Sequence, residues 1–230
     1  MDESKLCQAQ LVPGQRYAVG RRTVAELVRT LSDSDLIRHV PACPRWRVRD
    51  LVAHLVGVAS DNAHQISADG ALDDWTGGHV DRRADAPIDA LLAEWDDAAN
   101  LLEPMLDAGE MQLPAVVLDL VTHEHDIRGA IDRPGNRADP TLLMAARLLG
   151  RGWAGKIDGA GLPPLKIVDA ADGGGDAGPA FTASSFEMFR CAFGRRSDAQ
   201  LRDRFVGIAD PAPYIELLCI FGPSPLDIIE

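Results

Sequence analysis

Apolar residues recur at helical spacing through the first two thirds of the chain. Because an α-helix has 3.6 residues per turn, apolar positions three and four apart line one face of a helix. The pattern predicts helices over residues 17–31, 48–66, 87–106, 114–131 and 140–153. Four long helices with one added helix are typical of an antiparallel four-helix bundle, a fold whose core often holds a metal site.

The connection before the third predicted helix is long and polar. Residues 67–86 are rich in Gly and Asp and predict a loop, a length of loop that is usually functional or mobile. Trp75 and His79 in this loop either line the mouth of a pocket or pack locally. Trp46 stands just before the second predicted helix and is expected to act as a hydrophobic staple against the bundle.

The pattern changes after about residue 155. The segment LPPLKIVDAADGGGDAGPAFTAS predicts a strand, a glycine-rich turn and a second strand. The turn lacks a P-loop lysine and is followed by a strand, which favours a flexible hairpin over a phosphate cradle. Short helices are predicted over residues 184–193, 197–204 and 211–220. We therefore predict an α+β protein, with a helical bundle over residues 1–156 and a small α/β domain over residues 157–230.

Composition and charge restrict the class of partner. The chain has 230 residues, 46% of them hydrophobic and 25% charged, which is typical of a soluble globular protein. The net charge of −12 argues against nucleic acid and anionic membrane as main partners. No apolar stretch approaches the roughly 18 residues that a membrane span needs.

The cysteines and the N-terminal sequence indicate a cytoplasmic protein. The four cysteines lie far apart without CxxC spacing, which favours reduced thiols over disulfides or nucleophiles; they are Cys7, Cys43, Cys191 and Cys219. The N-terminal segment MDESKLCQAQLVPGQ lacks a basic head followed by an apolar core, so no signal peptide is expected.

A carboxylate and an imidazole interrupt the fourth predicted helix. Asp119 and His123 stand four residues apart in the apolar run LPAVVLDLVTHEHDI, so they project from one face of a helix. A second apolar run, VRDLVAHLVGV, carries His54 at the edge of its buried face. Two histidines and one carboxylate bind a divalent metal ion and leave positions open for water or substrate.

Other interpretations of the same residues stay open at this point. A histidine on an apolar helix is often a hydrogen-bonded core residue, and an Asp–His pair is often solvated. A buried carboxylate without a partner costs several kcal/mol, however, and a metal ion would supply that partner. Glu124 and His125 turn away from His123 by roughly 100–200°, which makes them poor co-ligands. Asp126 is either an acceptor that orients His123 or a surface acid.

Two adjacent arginines are a further candidate site. Arg195 and Arg196 in GRRS either clamp the carboxylates of an acidic substrate or thiol cofactor, or pair with local acids between two short helices. In the second interpretation Gly194 ends one helix and Ser197 caps the next.

Three segments in order resemble one known family. The segment CPRWRVRDLVAHLVG resembles the W-x-V-x-D-L-V-x-H-L stretch of the mycothiol-dependent maleylpyruvate isomerase family, which is related to the DinB-like bundles. The segment LDLVTHEHDIRGAI resembles its second motif, an acid followed by H-x-x-D-x-x-x-A, and FGRRSDAQL with DPAPYIELLCIFGP resembles its C-terminal domain. The resemblance spans residues 20–223, and the ordered set is more specific than any single motif.

The resemblance implies a fold, a metal and a cosubstrate. It implies a DinB-like bundle followed by a small α/β domain, and zinc or a similar divalent ion held by His54, Asp119 and His123. It also implies mycothiol, the low-molecular-weight thiol of actinobacteria, and one of Arg195 and Arg196 in substrate binding. The isomerase is usually described with Glu at the carboxylate position, where this chain has Asp119. DinB-like bundles are often dimers, so a homodimer is one expected assembly.

Three functions are compatible with these motifs. The leading one is a metal-dependent, mycothiol-using isomerase, in which a thiolate adds to maleylpyruvate, the bond rotates and the thiol is eliminated. The second is a mycothiol S-transferase acting on another small electrophile. The third is a non-catalytic binding module with a degenerate or structural metal site.

Overall fold

The computed structural model describes residues 11–68, 70–111, 113–169 and 178–230. These residues form mainly helices with two small sheets, which agrees with the predicted α+β class. The elements of the first half are α1 Pro13–Arg29, α2 Asp33–Leu36, β1 His39–Val40, β2 Cys43–Arg47, α3 Val48–Ala63, α4 Leu72–Asp81, α5 Ile88–Ala108 and α6 Ala115–Ala130. Those of the second half are α7 Pro140–Gly159, β3 Lys166–Val168, β4 Ala180–Thr182, α8 Ser185–Ala192, α9 Asp198–Arg202, β5 Phe205–Val206 and α10 Ala212–Leu218.

The four long helices of the first half form a bundle. Helix α1 packs on α5 and α6, and α3 packs on the same two helices, so each helix has two neighbours in a closed ring. Helices α3 and α6 are buried over most of their surface, and polar residues of both are enclosed with the apolar core. The predicted four-helix arrangement is therefore confirmed, and its two most enclosed helices are the ones that carry the candidate metal ligands.

The connections of the bundle contain a hairpin and a helix that the sequence pattern does not predict. Residues before α3 form an antiparallel β1–β2 hairpin, in which Val40 pairs with Cys43. The sequence predicts a loop over residues 67–86, but helix α4 occupies the centre of that segment, Leu72–Asp81. Gly77 and Gly78 obscure the helical pattern, because glycine is unfavourable in a helix interior. Helix α4 packs on α3, which supplies the stability that its sequence lacks.

The second half contains a three-stranded sheet of order β3-β4-β5. Strands β3 and β4 pair in parallel, with Ile167 opposite Phe181, and β4 pairs with β5 antiparallel. The predicted hairpin between the first two strands is therefore wrong, because hairpin strands are antiparallel. Most of the glycine-rich DGGGDAG segment lies outside the described residues.

The chain divides into two compact units, Met1–Gly135 and Asn136–Glu230. The sequence pattern predicts this division at residues 156 and 157, with α7 in the bundle. Helix α7 instead packs within the second unit, where the Trp153 ring meets Phe181 edge-on at 5.0 Å and its Nε1 donates to the carbonyl of Tyr214 at 3.0 Å. Among the described residues, no helix is both long and apolar enough to cross a bilayer.

Candidate metal centre

Helices α3 and α6 bring the three predicted metal ligands together. The Nε2 atom of His54 lies 3.5 Å from Oδ2 of Asp119, and Nε2 of His123 lies 3.3 Å from Oδ1 of the same carboxylate. The two imidazole rings stand nearly perpendicular, with centroids 5.1 Å apart. One ligand atom from each residue lies within 4.8 Å of the others.

The distances and the donor types fit a divalent metal ion. A tetrahedral zinc ion with bonds of about 2.1 Å holds neighbouring ligand atoms about 3.4 Å apart, close to the two distances seen here. Oδ2 of Asp119 is buried and has no hydrogen-bond partner among the described residues. The Asp119 side chain is nevertheless 30% exposed, whereas the two histidines are buried, so solvent reaches the site from the side of the carboxylate.

Asp126 contacts His123 on the side of its ring opposite Asp119. Its Oδ2 accepts a hydrogen bond from Nδ1 of His123 at 2.8 Å, which directs the Nε2 atom of His123 toward Asp119. Asp126 is only 1% exposed, so the structure places it with the buried groups and not on the surface. Of the two interpretations open from sequence, the orienting acceptor fits this position.

The electrostatics of the three groups are strongly coupled. Burial opposes charge on Asp119, but the His123 and His54 imidazoles outweigh burial and hold the pKa of this carboxyl far below its usual range. Burial likewise opposes charge on His123, but Asp119 and Asp126 outweigh it and raise the pKa of His123 well above 6.5. A metal ion at Nε2 of His123 therefore competes with a tightly held proton.

A second histidine system adjoins His54. His79 of α4 is completely buried, and its Nδ1 lies 3.4 Å from Nδ1 of His54. Its Nε2 lies 3.0 Å from Oδ2 of Asp61, which also accepts a hydrogen bond from Nε1 of Trp75 at 2.8 Å. Burial lowers the pKa of His79, against the opposing effect of Asp61. Trp46 packs on the other side of His54, with ring centroids 4.9 Å apart.

The sequence pattern does not reveal Asp61 or the contact between His79 and His54. One signal is present: His54 and Asp61 are seven residues apart, so they lie about 20° apart around helix α3. The position of His79 gives no such signal, because the sequence around it predicts a loop and not a helix. Of the two predictions for Trp75 and His79, local packing describes the structure, since both contact Asp61.

Cys43 offers an alternative group of ligand atoms. Its Sγ lies 4.0 Å from Oδ2 of Asp126, and Cys43, His123 and Asp126 also have ligand atoms within 4.8 Å of one another. Within this group, Nδ1 of His123 already donates a hydrogen bond to Asp126. It also lacks the second imidazole that the set with His54 provides.

The paired arginines lie in the second unit, and their side chains differ in burial. Arg196 is 3% exposed and donates to Glu187 at 2.7 Å and to Glu230 at 3.2 Å. Burial opposes its charge, but the two carboxylates outweigh burial and raise the pKa of Arg196. Arg195 is partly exposed and donates to the carbonyl of Phe193 at 2.7 Å. The guanidinium of Arg196 is thus engaged by internal acids.

Comparison with known proteins gives a family match within the first unit. Residues 17–127 match the family model of the mycothiol maleylpyruvate isomerase N-terminal domain. The fold is similar to the crystal structure of the mycothiol-dependent maleylpyruvate isomerase, with 15% identity and a TM-score of 0.51 over 85% of this chain and 90% of that chain. A crystal structure of a histidine-to-alanine mutant of that enzyme matches with 14% identity, the same TM-score of 0.51 and the same coverage.

A search of curated proteins gives no significant match. Because both structural matches are below 25% identity, they establish the fold alone, and they confirm the predicted helical α+β architecture. The match over residues 17–127 is to the mycothiol maleylpyruvate isomerase N-terminal domain, the family that the sequence motifs indicate.

Proposed function

We propose that this protein is a metal-dependent enzyme that uses mycothiol, and that it catalyses a thiol-assisted isomerisation of the maleylpyruvate type. The observation that carries the proposal is the convergence of His54, Asp119 and His123, with an unsatisfied buried carboxylate oxygen, in a domain of this family. A bound divalent ion, zinc in our proposal, would favour the thiolate form of a thiol cosubstrate.

Each residue of the proposed metal centre has its own role. His54 and His123 would supply neutral imidazole nitrogens and Asp119 a carboxylate oxygen, with the exposed side of Asp119 leaving room for thiol and substrate. Asp126 holds His123 in the tautomer that offers Nε2. In the second unit, taken by itself, Arg195 is our candidate for contact with an acidic group, because the internal carboxylates engage Arg196.

The cellular setting is part of the proposal. A reduced thiol cosubstrate requires a reducing compartment, which in our proposal is the cytoplasm. Cys43, Cys191 and Cys219 form no disulfide in the described part of the chain, which is compatible with such a compartment. Burial raises the pKa of Cys191 to about 12 and that of Cys219 to about 11, so neither is a reactive thiolate at neutral pH.

Turnover assays with purified zinc-loaded protein distinguish the candidate functions. We expect conversion of maleylpyruvate that requires mycothiol and disappears in the His54→Ala variant. Conversion only of a reactive model electrophile to its mycothiol adduct would favour the S-transferase. A stoichiometric metal without either activity would favour the non-catalytic module, and absence of metal from the folded protein would contradict the proposal.

A further inference from the structure

The His79 ring lies buried between His54 and Asp61, and the proposed function assigns it no task. Its Nδ1 faces Nδ1 of His54 at 3.4 Å, and its Nε2 faces Oδ2 of Asp61 at 3.0 Å. The ring thus links a carboxylate at one end to a metal-ligand candidate at the other. The carboxylate is held in place by Nε1 of Trp75, which donates to the same oxygen at 2.8 Å.

The direction of each hydrogen bond follows from the carboxylate. An ionised carboxylate only accepts hydrogen bonds, so Nε2–H of His79 donates to Asp61. A neutral imidazole carries one proton, which leaves Nδ1 of His79 as an acceptor. His54 must then donate from Nδ1, and its Nε2 keeps a lone pair on the side of Asp119. The complete burial of His79 favours this neutral state of the ring.

We propose that Asp61 and His79 are positioning residues for His54: they fix it as the Nδ1–H tautomer, so that its Nε2 lone pair is presented to the metal ion. The inference rests on the proposed function for the use of that lone pair. Without an acceptor at His79, neutral His54 distributes its proton between two nitrogens, and the Nε2–H form binds no ion. Each histidine of the site would then be oriented by a carboxylate. Asp126 contacts His123 directly, and Asp61 acts on His54 through the His79 ring.

Gly57 supports this assignment independently of the hydrogen bonds. A Cβ atom at Gly57 would lie 2.4 Å from Cγ of His79, which is too close for two carbon atoms that are not bonded to each other. His54, Gly57 and Asp61 follow one another at spacings of three and four, so all three lie on one face of α3. Glycine in a helix interior costs about 1 kcal/mol relative to alanine. Here it provides the space in which His79 reaches both neighbours.

Zinc affinity gives the first test. Competition with a chromophoric chelator at pH 8 would measure the zinc dissociation constant of the wild type and of His79→Leu, which fills the space but cannot accept a hydrogen bond. We expect a loss of affinity of about 10–100-fold, the usual effect of removing an outer partner of a ligand. His79→Gln, whose amide can accept from His54 and donate to Asp61, should restore most of it.

A matched control separates this effect from the general loss of a histidine. His64 is exposed at the end of the same helix and bonds to the carbonyl of Ser60. His64→Leu should leave the zinc dissociation constant within about threefold of the wild type, as a solvated side chain outside the site should. Equal zinc affinity in His79→Leu and the wild type would overturn the proposal.

The tautomer of His54 can be measured directly, and it would not change if His79 had only a structural role. Long-range ¹H–¹⁵N spectra of the metal-free protein with labelled histidine distinguish the Nδ1–H and Nε2–H forms of His54. We expect the Nδ1–H form in the wild type and a shift toward Nε2–H in His79→Leu. If that variant does not fold, Asp61→Asn carries the same test, since it removes the obligate acceptor.

The two measurements separate this inference from the proposed function. If the wild type binds no zinc, the proposed function fails, and the spectra of the metal-free protein still decide whether His79 sets the tautomer. If the wild type binds zinc but His54 keeps the Nδ1–H form in both variants, the positioning role is wrong and the metal site stands.

Discussion

At the scale of single residues, the site depends on the reach of one short carboxylate. Asp119 contacts His54 through one oxygen and His123 through the other, at 3.5 and 3.3 Å. The family pattern noted from sequence has Glu at this position, and Asp is shorter by one methylene. In this structure the short side chain already meets both imidazoles, so a longer one is not required to complete the set.

Substitutions of Asp119 should distinguish the effect of its negative charge from the effect of its side-chain length. Asp119→Glu keeps a carboxylate oxygen and should retain zinc, with an affinity within about tenfold of the wild type, because Asp and Glu oxygens are equivalent zinc ligands. Asp119→Asn removes the negative charge and should weaken zinc binding by at least about a hundredfold. Competition titration measures the zinc affinity of both variants. An Asp119→Asn variant that binds zinc as tightly as the wild type would show that Asp119 is not a ligand.

Asp126 should affect the metal through His123. Asp126→Asn replaces the charged acceptor at 2.8 Å from Nδ1 of His123, and we expect zinc affinity to fall about 10–100-fold. Asp97→Asn is the matched control, because Asp97 is exposed on helix α5. Both variants go through the same competition titration. Similar affinities in the two variants would assign Asp126 to structure alone.

The pH dependence of metal binding follows from the pKa of His123. Asp119 and Asp126 raise this pKa in the metal-free protein, so below it the ion must displace a proton. Zinc affinity should therefore fall by about tenfold per pH unit as the pH decreases below the raised pKa. Titrations at several pH values measure this slope, and an affinity independent of pH from about 6 to 8 would contradict it.

At the scale of elements, periodicity predicts the long helices well because their apolar faces are buried in the bundle. Helix α4 escapes prediction because two glycines and several acids in its sequence are typical of loops, whereas its stability comes from packing on α3. The omission hides His79, whose contacts with His54 and Asp61 exist only when this helix forms. A local pattern cannot reveal an element that a distant surface stabilises.

Two glycine substitutions test the packing of α4 on α3. Gly57→Ala places a Cβ within 2.4 Å of His79 and should lower the midpoint of thermal unfolding, although alanine is the better helix former. Gly152→Ala in α7 is the control, because nothing lies within 4 Å of its Cβ position. That variant should gain up to about 1 kcal/mol from helix propensity. A stabilised Gly57→Ala would show that His79 is not held against the helix.

At the scale of the whole molecule, the sequence predicts two domains that divide at residues 156 and 157, whereas the compact units of the structure divide at residues 135 and 136. The amphipathic pattern of α7 shows that one face is buried but not which surface covers it. In the structure, Trp153 of α7 packs with Phe181 of the second unit's sheet. The parallel pairing of β3 and β4 is likewise outside the reach of a local pattern, since a glycine-rich connection is equally compatible with a hairpin.

Arg196 tests the division of roles within the second unit. Arg196→Ala removes one cation from a buried cluster in which Glu187 keeps Arg204 and Glu230 keeps Arg190. We therefore expect a loss of about 1.5–3 kcal/mol in the free energy of unfolding, the usual contribution of hydrogen bonds to charged groups. Arg202→Ala breaks an exposed pair with Asp198 and should change stability little. Urea denaturation measures both variants. A stable Arg196→Ala variant that loses turnover would instead return Arg196 to the substrate site.

The proposed function requires that His54, Asp119 and His123 hold one divalent ion, and elemental analysis of the purified protein can show whether they do. After exposure to zinc and extensive dialysis, the wild type should retain one ion per chain, and folded His54→Ala should retain almost none. Circular dichroism would confirm that the variant is folded. A wild type without stoichiometric metal, or a variant that keeps the same amount, would contradict the proposed metal centre.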